Sequence, residues 1–456
     1  MARRSLAIIL AAGEGTRMRS DLPKVLHPIA HRPMVCHVAA ACEAAGIDDL
    51  AFVVGTKARL VRERVASDFP QASFHEQRER RGTAHAVLCA REALSADHES
   101  VLVLFGDVPL VGSEAIRSLL DARAEGADVV ALGFETDDPK GYGRMVVRDG
   151  KLARIVEEKD ASEEERRISF CNAGLMAFRA DLALDLLDAV GSQNAQNEFY
   201  LPDTVAIANE RRLVVTALAT DEEETLGVND RVQLADREVR WQRRARERAM
   251  RDGVSMQAPE TVHLAWDTAL AADCTVEPNV WFGPGVSVAR GARIRANCHL
   301  EGAQVGEDCE VGPYARLRPG AVLEPGAKVG NFVEVKSAVL RRGAKVNHLS
   351  YVGDAEVGEA SNVGAGVVTA NYDGFGKYRT VIGADAFVGT NSTLVAPVSV
   401  GEGANVAAGS VITHDVPAGS LTFGRARQED KPGRAGPFRE EARRRKEARK
   451  GAVKPS

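Results

Sequence analysis

The chain has 456 residues, more than a single hydrophobic core usually organises, so at least two domains are expected. With 45% hydrophobic and 27% charged residues and a formal net charge of -5, it has the make-up of an ordinary soluble globular protein, and so mild a charge gives no reason to expect a specific nucleic-acid partner. No stretch approaches the roughly 18 apolar residues of a membrane span, and the seven cysteines (Cys36, Cys42, Cys89, Cys171, Cys274, Cys298, Cys309) include no CxxC pair, so a cytoplasmic protein with reduced, structural thiols is expected.

From residue 5 to about 230, short apolar runs alternate with longer amphipathic stretches. Leu6–Leu10, Ala51–Val54, Val101–Phe105 and Asp128–Leu132 read as strands, which predicts an α/β domain with a mostly parallel sheet. Asp149-Gly150 between two β-like runs predicts a hairpin beside that sheet. Between Asp230 and Arg251 there is no Gly or Pro; a capping aspartate, eight arginines and a stop at Gly253 predict one long helix, read as a solvated connector.

Beyond about residue 275 an aliphatic residue returns every six positions. Val305, Val311, Leu317, Leu323, Val329 and Val335 share this spacing, as do Leu340, Val346 and Val352, and again Ile382, Val388, Leu394, Val400, Val406 and Ile412. A six-residue period over this length predicts a parallel β-helix, though periodicity alone does not set its hand. The register breaks at Thr369–Val381, where Ala370–Lys377 is an insertion expected to form a functional loop. The tail is rich in Arg, Lys, Pro and Gly and is expected to be mostly disordered. The expected domains are residues 1–229, a helical linker 230–252, and a β-helix domain 253–456 with its basic tail from about 426.

Chemistry is concentrated first at Leu10-Ala-Ala-Gly13-Glu-Gly15-Thr16-Arg17-Met18, directly after the first predicted strand, with Leu22-Pro23-Lys24 following. Glycines let backbone N–H groups approach phosphate oxygens, and Arg17 and Lys24 add positive charge. The spacing is not GxxxxGK[ST], which disfavours a P-loop NTPase. Val101–Phe105 runs into Gly106-Asp107, at a strand end where open α/β sheets bind ligands. Asp107 is therefore the best candidate ligand for a divalent cation, Mg²⁺ by its preference for hard oxygens. Asn229 is a candidate second oxygen ligand, although by itself it reads as a turn residue.

These motifs, with Gln77…Arg81-Gly82-Thr83-Ala84, Gly141-Tyr-Gly143-Arg144, Ile155-Val-Glu157-Glu-Lys159-Asp, Asn172-Ala-Gly174, Asn197-Glu-Phe-Tyr-Leu201 and Gly227-Val-Asn229, occur in the order expected of bacterial N-acetylglucosamine-1-phosphate uridyltransferases. The resemblance runs through the β-helix to about Arg425, so the chain resembles the bifunctional uridyltransferase/glucosamine-1-phosphate acetyltransferases. It implies a Rossmann-like nucleotidyltransferase domain, a long connector helix, and a left-handed parallel β-helix of hexapeptide repeats that trimerises. By the same resemblance Leu10, Ala11, Ala12, Gly13, Gln77, Gly82 and Thr83 hold the uracil and its neighbours, with Phe105, Gly106 and Asp107 beside them. Arg17 and Lys24 act on the triphosphate of UTP, Asp107 and Asn229 hold the metal, and Gly143, Glu157 and Asn172 read the N-acetylglucosamine. Three departures from the family pattern stand out: Glu14 inside the phosphate loop, Phe105 for a common tyrosine, and Thr390 for an expected serine.

Acetyl transfer to an amine needs a base, cations for the sugar phosphate, and hydrogen-bonding groups for the sugar. His348 has the side chain whose ordinary pKa near 6.5 suits a general base. The resemblance implies that His348 is that base, that Arg318 and Lys336 clamp the sugar phosphate, and that Tyr351, Asn362 and Lys377 touch the same substrate. Ala365, Asn371, Tyr372, Thr390, Ala408 and Arg425 are then expected on the acetyl-coenzyme A side. The nearest rival is a single-activity sugar-phosphate nucleotidyltransferase whose β-helix only oligomerises, and a non-catalytic scaffold is a more distant one. The cluster around His348 argues against the first, and Lys24, Asp107 and His348 together against the second.

Overall fold

Residues that alternate in facing along Ser5–Ala11 build the centre of a nine-stranded sheet. In this computed structural model, which describes residues 4–47 and 49–452, the main path of the sheet runs Val215–Ala219, Val129–Glu135, Phe170–Arg179, Ser100–Phe105, Ser5–Ala11, Asp49–Val54, Ser73–Glu76. Ala7, Ile9 and Ala11 face one core with Phe52, Val54, Leu102 and Leu104. Leu6, Ile8 and Leu10 face the other with Ala51, Val53, Val101 and Val103. A strand covered on both faces reads as an unbroken apolar run, and each such side chain contributes about 1.5–3 kcal/mol by full burial.

Neighbours along the path are parallel except at Phe170–Arg179, which is antiparallel to both strands beside it. The hairpin Arg144–Arg148/Lys151–Val156 hangs from that same strand, turning at Asp149 (φ 50°) and Gly150 (φ 75°) as its turn residues predict.

The helix Arg231–Arg251 begins where its cap predicts, the Asp230 carboxylate accepting from Gln233 N at 2.9 Å. It is not the solvated connector expected of so many arginines. Arg237, Gln242 and Arg246 are buried along it. The Gln242 amide donates to Leu264 O (2.7 Å) and accepts from Leu264 N (2.9 Å), Arg246 donates to Val262 O (3.0 Å), and Arg240, Arg243 and Arg244 converge on Glu223. Long arginine stems cover apolar surface while their heads find acceptors. By its contacts the first unit accordingly extends to Ala272 and includes Pro278–Val286; the second comprises Asp273–Glu277 and the chain from Ser287 on.

The second unit is a parallel β-helix. Thr275–Val276, Arg293–Ile294, Glu310–Val311, Lys328–Val329, Lys345–Val346, Asn362–Val363, Phe387–Val388 and Asn405–Val406 pair in parallel, one after the next. Every aliphatic residue of the six-residue register is 4% exposed or less. Thr369 is one of the polar side chains buried in this unit: its hydroxyl accepts from Gly353 N (2.8 Å) and donates to Gly353 O (3.0 Å), which offsets the cost of placing it inside.

The tail departs from expectation. Instead of disorder it forms the helix Ala435–Ala452, its residues exposed as far as they are described. Arg, Lys, Glu and Ala are strong helix formers, and the Glu441–Arg445 pair adds support at i,i+4, so the element stands on local propensity. The seven cysteines are free, and burial pushes their thiols up, Cys36 and Cys298 to about 11, which disfavours the nucleophilic thiolate. Among the described residues no helix is long and apolar enough to cross a membrane.

Candidate active sites

In the first unit three parallel strands end together. Leu10 pairs with Phe105 and with Val53, Gly106 N donates to Leu10 O (2.9 Å), and Gln77 N donates to Val54 O (2.9 Å). The loops that follow therefore open on one edge of the sheet. The phosphate loop turns at Gly15 (φ 63°), where a Cβ would sit 2.5 Å from Lys24 Cβ; glycine here lets the Lys24 stem run beneath the loop. The buried Lys24 ammonium pairs with the Asp107 carboxylate and donates to Asn229 Oδ1 at 3.3 Å. Val228 N donates to Asp107 O (2.9 Å), which draws Asn229 to this point. Two hard oxygens thus converge on one cation, here an ammonium. Among the described residues no three His, Cys, Asp or Glu side chains form a metal cage, so a metal held by Asp107 and Asn229 would take further oxygens from substrate or water.

Of the other expected residues, Ala11, Ala12 and Gly13 line a cavity of about 270 Å³ with Glu14, Gly55 and Lys57. Arg17 is exposed on the turn Thr16–Met18. Gln77 is buried and reaches Gly82 O (3.3 Å) and the His85 ring (3.2 Å). The Thr83 hydroxyl accepts from Leu201 N (2.9 Å), which helps hold that loop.

Gly143, Glu157 and Asn172 form a second group at the same edge. A Cβ on Gly143 would lie 3.4 Å from Glu157 Oε1 and 3.5 Å from Asn172 Cβ, and Asn172 N donates to Gly143 O (2.9 Å). Phe105 lies over Gly174, where a Cβ would come within 2.6 Å of the ring. Burial, then Asp203 and Asp160, raises the Glu157 carboxyl above its usual range, and burial followed by Asp160 holds Asp203 up to about 6. Asp203 is a member of this group that carried no sequence signal. Tyr200, within the Asn197–Leu201 motif, also belongs; among the described residues its buried hydroxyl has no hydrogen-bond partner.

In the second unit the expected residues fall into columns. Asn331 pairs in register with His348, and the Asn331 side-chain oxygen accepts from His348 Nδ1 at 2.7 Å. An amide oxygen only accepts, so Nδ1 donates here and Nε2 is the ring nitrogen left to face a substrate. Above His348 the same corner of each coil holds a small residue. Gly366 N donates to His348 O (3.2 Å), Asn391 N to Ala365 O (2.7 Å) and Gly409 N to Thr390 O (2.8 Å), which stacks His348, Ala365, Thr390 and Ala408 coil by coil. Arg425 stands at the top, its Cδ 3.7 Å from where a Cβ on Gly409 would be.

On an adjoining face Arg318, Lys336 and Gly353 are successive rungs. Arg318 is held by Glu334 (2.7 Å), a residue the sequence did not single out. The Lys336 ammonium is pulled below its ordinary value first by Lys377 and, more weakly, by Arg318, so three cations face one region. Tyr351 lies across Gly353, where a Cβ would be 2.4 Å from its hydroxyl. Asn371 bonds Asp354; Asn362 lies in register above Lys345. Tyr372 pairs with Lys377 in the inserted loop and is 61% exposed.

A strand-end phosphate loop with an acidic cation site, and a β-helix bearing an oriented histidine beside clustered cations, define a two-centre transferase: nucleotidyl on one unit, acyl on the other. Residues 7–174 match the family described as MobA-like NTP transferase domain, and residues 379–414 the bacterial transferase hexapeptide (six repeats). The bifunctional proteins GlmU of Agrobacterium fabrum and Sinorhizobium fredii are 54% and 55% identical over 450 residues, 99% of each chain. That of Bartonella quintana is 49% identical over 426 residues, 93% of this chain and 95% of its own. The chain belongs to the bifunctional GlmU family. It is a uridyltransferase and acetyltransferase of UDP-N-acetylglucosamine synthesis, its second unit a left-handed β-helix, and the single-activity alternative is not favoured.

Proposed function

We propose that the second unit acetylates glucosamine-1-phosphate with acetyl-coenzyme A and that the first then joins the product to UMP from UTP, in the cytoplasm. In the acyl step His348 Nε2 takes a proton from the sugar ammonium. The freed amine attacks the thioester carbonyl, a C–N bond forms and the C–S bond breaks; the nitrogen's second proton passes to the departing sulfur, so coenzyme A leaves as the thiol. Arg318, Lys336 and Lys377 neutralise the sugar phosphate, while Tyr351 and Asn362 orient the sugar. The column Ala365, Thr390 and Ala408 admits a slender pantetheine because its side chains are small, with Asn371, Tyr372 and Arg425 toward the same cofactor.

In the nucleotidyl step a phosphate oxygen of N-acetylglucosamine-1-phosphate attacks the α-phosphorus of UTP in line. A new P–O bond forms and the bond to pyrophosphate breaks, with no covalent enzyme intermediate. Arg17 and Lys24 stabilise charge on the triphosphate. Leu10, Ala11, Ala12, Gly13, Gln77, Gly82 and Thr83 bind the nucleoside, with Phe105 and Gly106 at its edge, and Gly143, Glu157 and Asn172 the sugar. Mg²⁺, held by Asp107 and Asn229, would neutralise phosphate charge when bound. The observation that carries this reading is the convergence of Lys24, Asp107 and Asn229 from three segments. A homotrimer through the β-helix is part of the same proposal, and sedimentation of the full chain at three times its monomer mass is its check.

The purified chain, given glucosamine-1-phosphate, acetyl-coenzyme A, UTP and Mg²⁺, is expected to yield UDP-N-acetylglucosamine, free thiol and pyrophosphate. Pyrophosphate release without any thiol release from a folded protein would leave only the single-activity reading.

A further inference from the structure

The phosphate loop carries a carboxylate, Glu14, between two glycines that would face a triphosphate. A carboxylate there repels the substrate, and a loop of this kind works only if the charge is neutralised. The neutralising group comes from another segment: the Arg80 guanidinium pairs with Glu14. Arg80 stands between Gln77 and Gly82, so the neutralising charge comes from the segment proposed to hold the uracil.

That segment is held from behind. Phe199 N donates to Arg81 O (2.7 Å) and Ala84 N to Phe199 O (2.9 Å). Gly82 (φ 114°) presses so close that a Cβ would lie 2.4 Å from Phe199 O, and the Arg81 guanidinium sits 5.0 Å from the Phe199 ring centroid. Two successive arginines thus play different parts, Arg81 anchoring backward while Arg80 is left directed at Glu14. Both members of the pair are about half exposed (44% and 48%), so the contact is solvent-screened and easily exchanged. That suits a charge mask better than a structural tie. Lys57 adds to it, acting after Arg80 to keep the Glu14 carboxyl below its usual range.

We propose that Arg80 is a positioning residue for the nucleoside triphosphate, masking Glu14 so that this phosphate loop can accept a polyanion. The proposal rests on reading the first unit as a UTP site. It explains how a carboxylate is tolerated at that position, and it makes the two residues a unit whose separate loss and joint loss differ.

The test is a double-substitution cycle on the full chain, read as KM for UTP, with acetyl transfer by the second unit as the control for folding. Arg80→Gln is expected to raise KM about tenfold with kcat nearly unchanged, because Glu14 is left to repel substrate in ground and transition state alike. Glu14→Gln alone is expected to lower KM about two- to threefold. In the Glu14→Gln background, Arg80→Gln should cost less than about twofold. An equal tenfold loss in both backgrounds overturns the proposal, since Arg80 would then act on the nucleotide directly; no loss in the unmodified background overturns it too. An unmodified chain that releases no pyrophosphate from UTP sinks the reading of the site along with the proposal, whereas an active chain with equal penalties sinks the proposal alone.

Discussion

The two units build their sites in opposite ways. In the first, Lys24 meets Asp107 and Asn229 across 83 and 205 residues of chain, brought together because parallel strands end along one edge of a sheet. In the second, Asn331 and His348 are 17 residues apart and touch because one coil sits on the next. A site gathered from strand ends depends on the packing of the whole sheet, while a site on a solenoid depends on its own coil and the coils beside it. The two centres should therefore fail independently.

The largest effects should come from the reacting groups. Asp107→Ala is expected to lower uridyl transfer at least about a hundredfold while sparing acetyl transfer, and His348→Ala to lower acetyl transfer about 10²–10⁴-fold while sparing uridyl transfer. Thiol release and pyrophosphate release measured on the same preparations decide this; one change silencing both in folded protein breaks the comparison.

Next in size is a backbone change in the segment proposed to hold the uracil. Gly82→Ala puts a methyl group 2.4 Å from Phe199 O at a positive φ, which has to displace the segment carrying Gln77. Uridyl kcat/KM should fall about 10–100-fold and acetyl transfer should not change.

A smaller effect sharpens the solenoid side. Asn331→Ala leaves the His348 ring without its acceptor and should lower acetyl kcat about tenfold. Asn331→Asp should restore much of the rate and move the pH midpoint of kcat upward, because a carboxylate stabilises the imidazolium. A midpoint that stays put would reduce Asn331 to a packing residue.

The smallest effect concerns stability. Burial and then Asp160 hold the Asp203 carboxyl up to about 6. The folded unit therefore binds that proton more tightly than the unfolded chain, where aspartate titrates near 4. The ionised group costs stability above about pH 6, and the cost fades as pH falls from 6 toward 4. Asp203→Asn should raise the melting temperature of the first unit by about 2–4 °C at pH 8 and hardly at all at pH 4.5.

Local periodicity explains which parts were legible. The four apolar runs became strands because each is buried on both faces, and the six-residue register became a solenoid core because each of its aliphatic side chains points inward. The antiparallel placement of Phe170–Arg179 at the centre of the sheet left no local mark, since pairing direction is settled between strands. The burial of Arg237 and Arg246 was likewise hidden, because arginine composition reads as solvated unless its acceptors, Gly227 O and Val262 O, are in view. Asn331 could have been found by stepping one coil back from His348; Asp203 could not.

The sequence by itself determined the two architectures and the chemical types at each site, since periodicity, glycine placement and a strand-end aspartate are properties of neighbouring residues. Only the tertiary structure decided the partners: Lys24 with Asp107 and Asn229, Glu14 with Arg80, His348 with Asn331, Arg318 with Glu334. Pairing across a sheet edge or between coils depends on distance in space, which no local pattern of residues encodes.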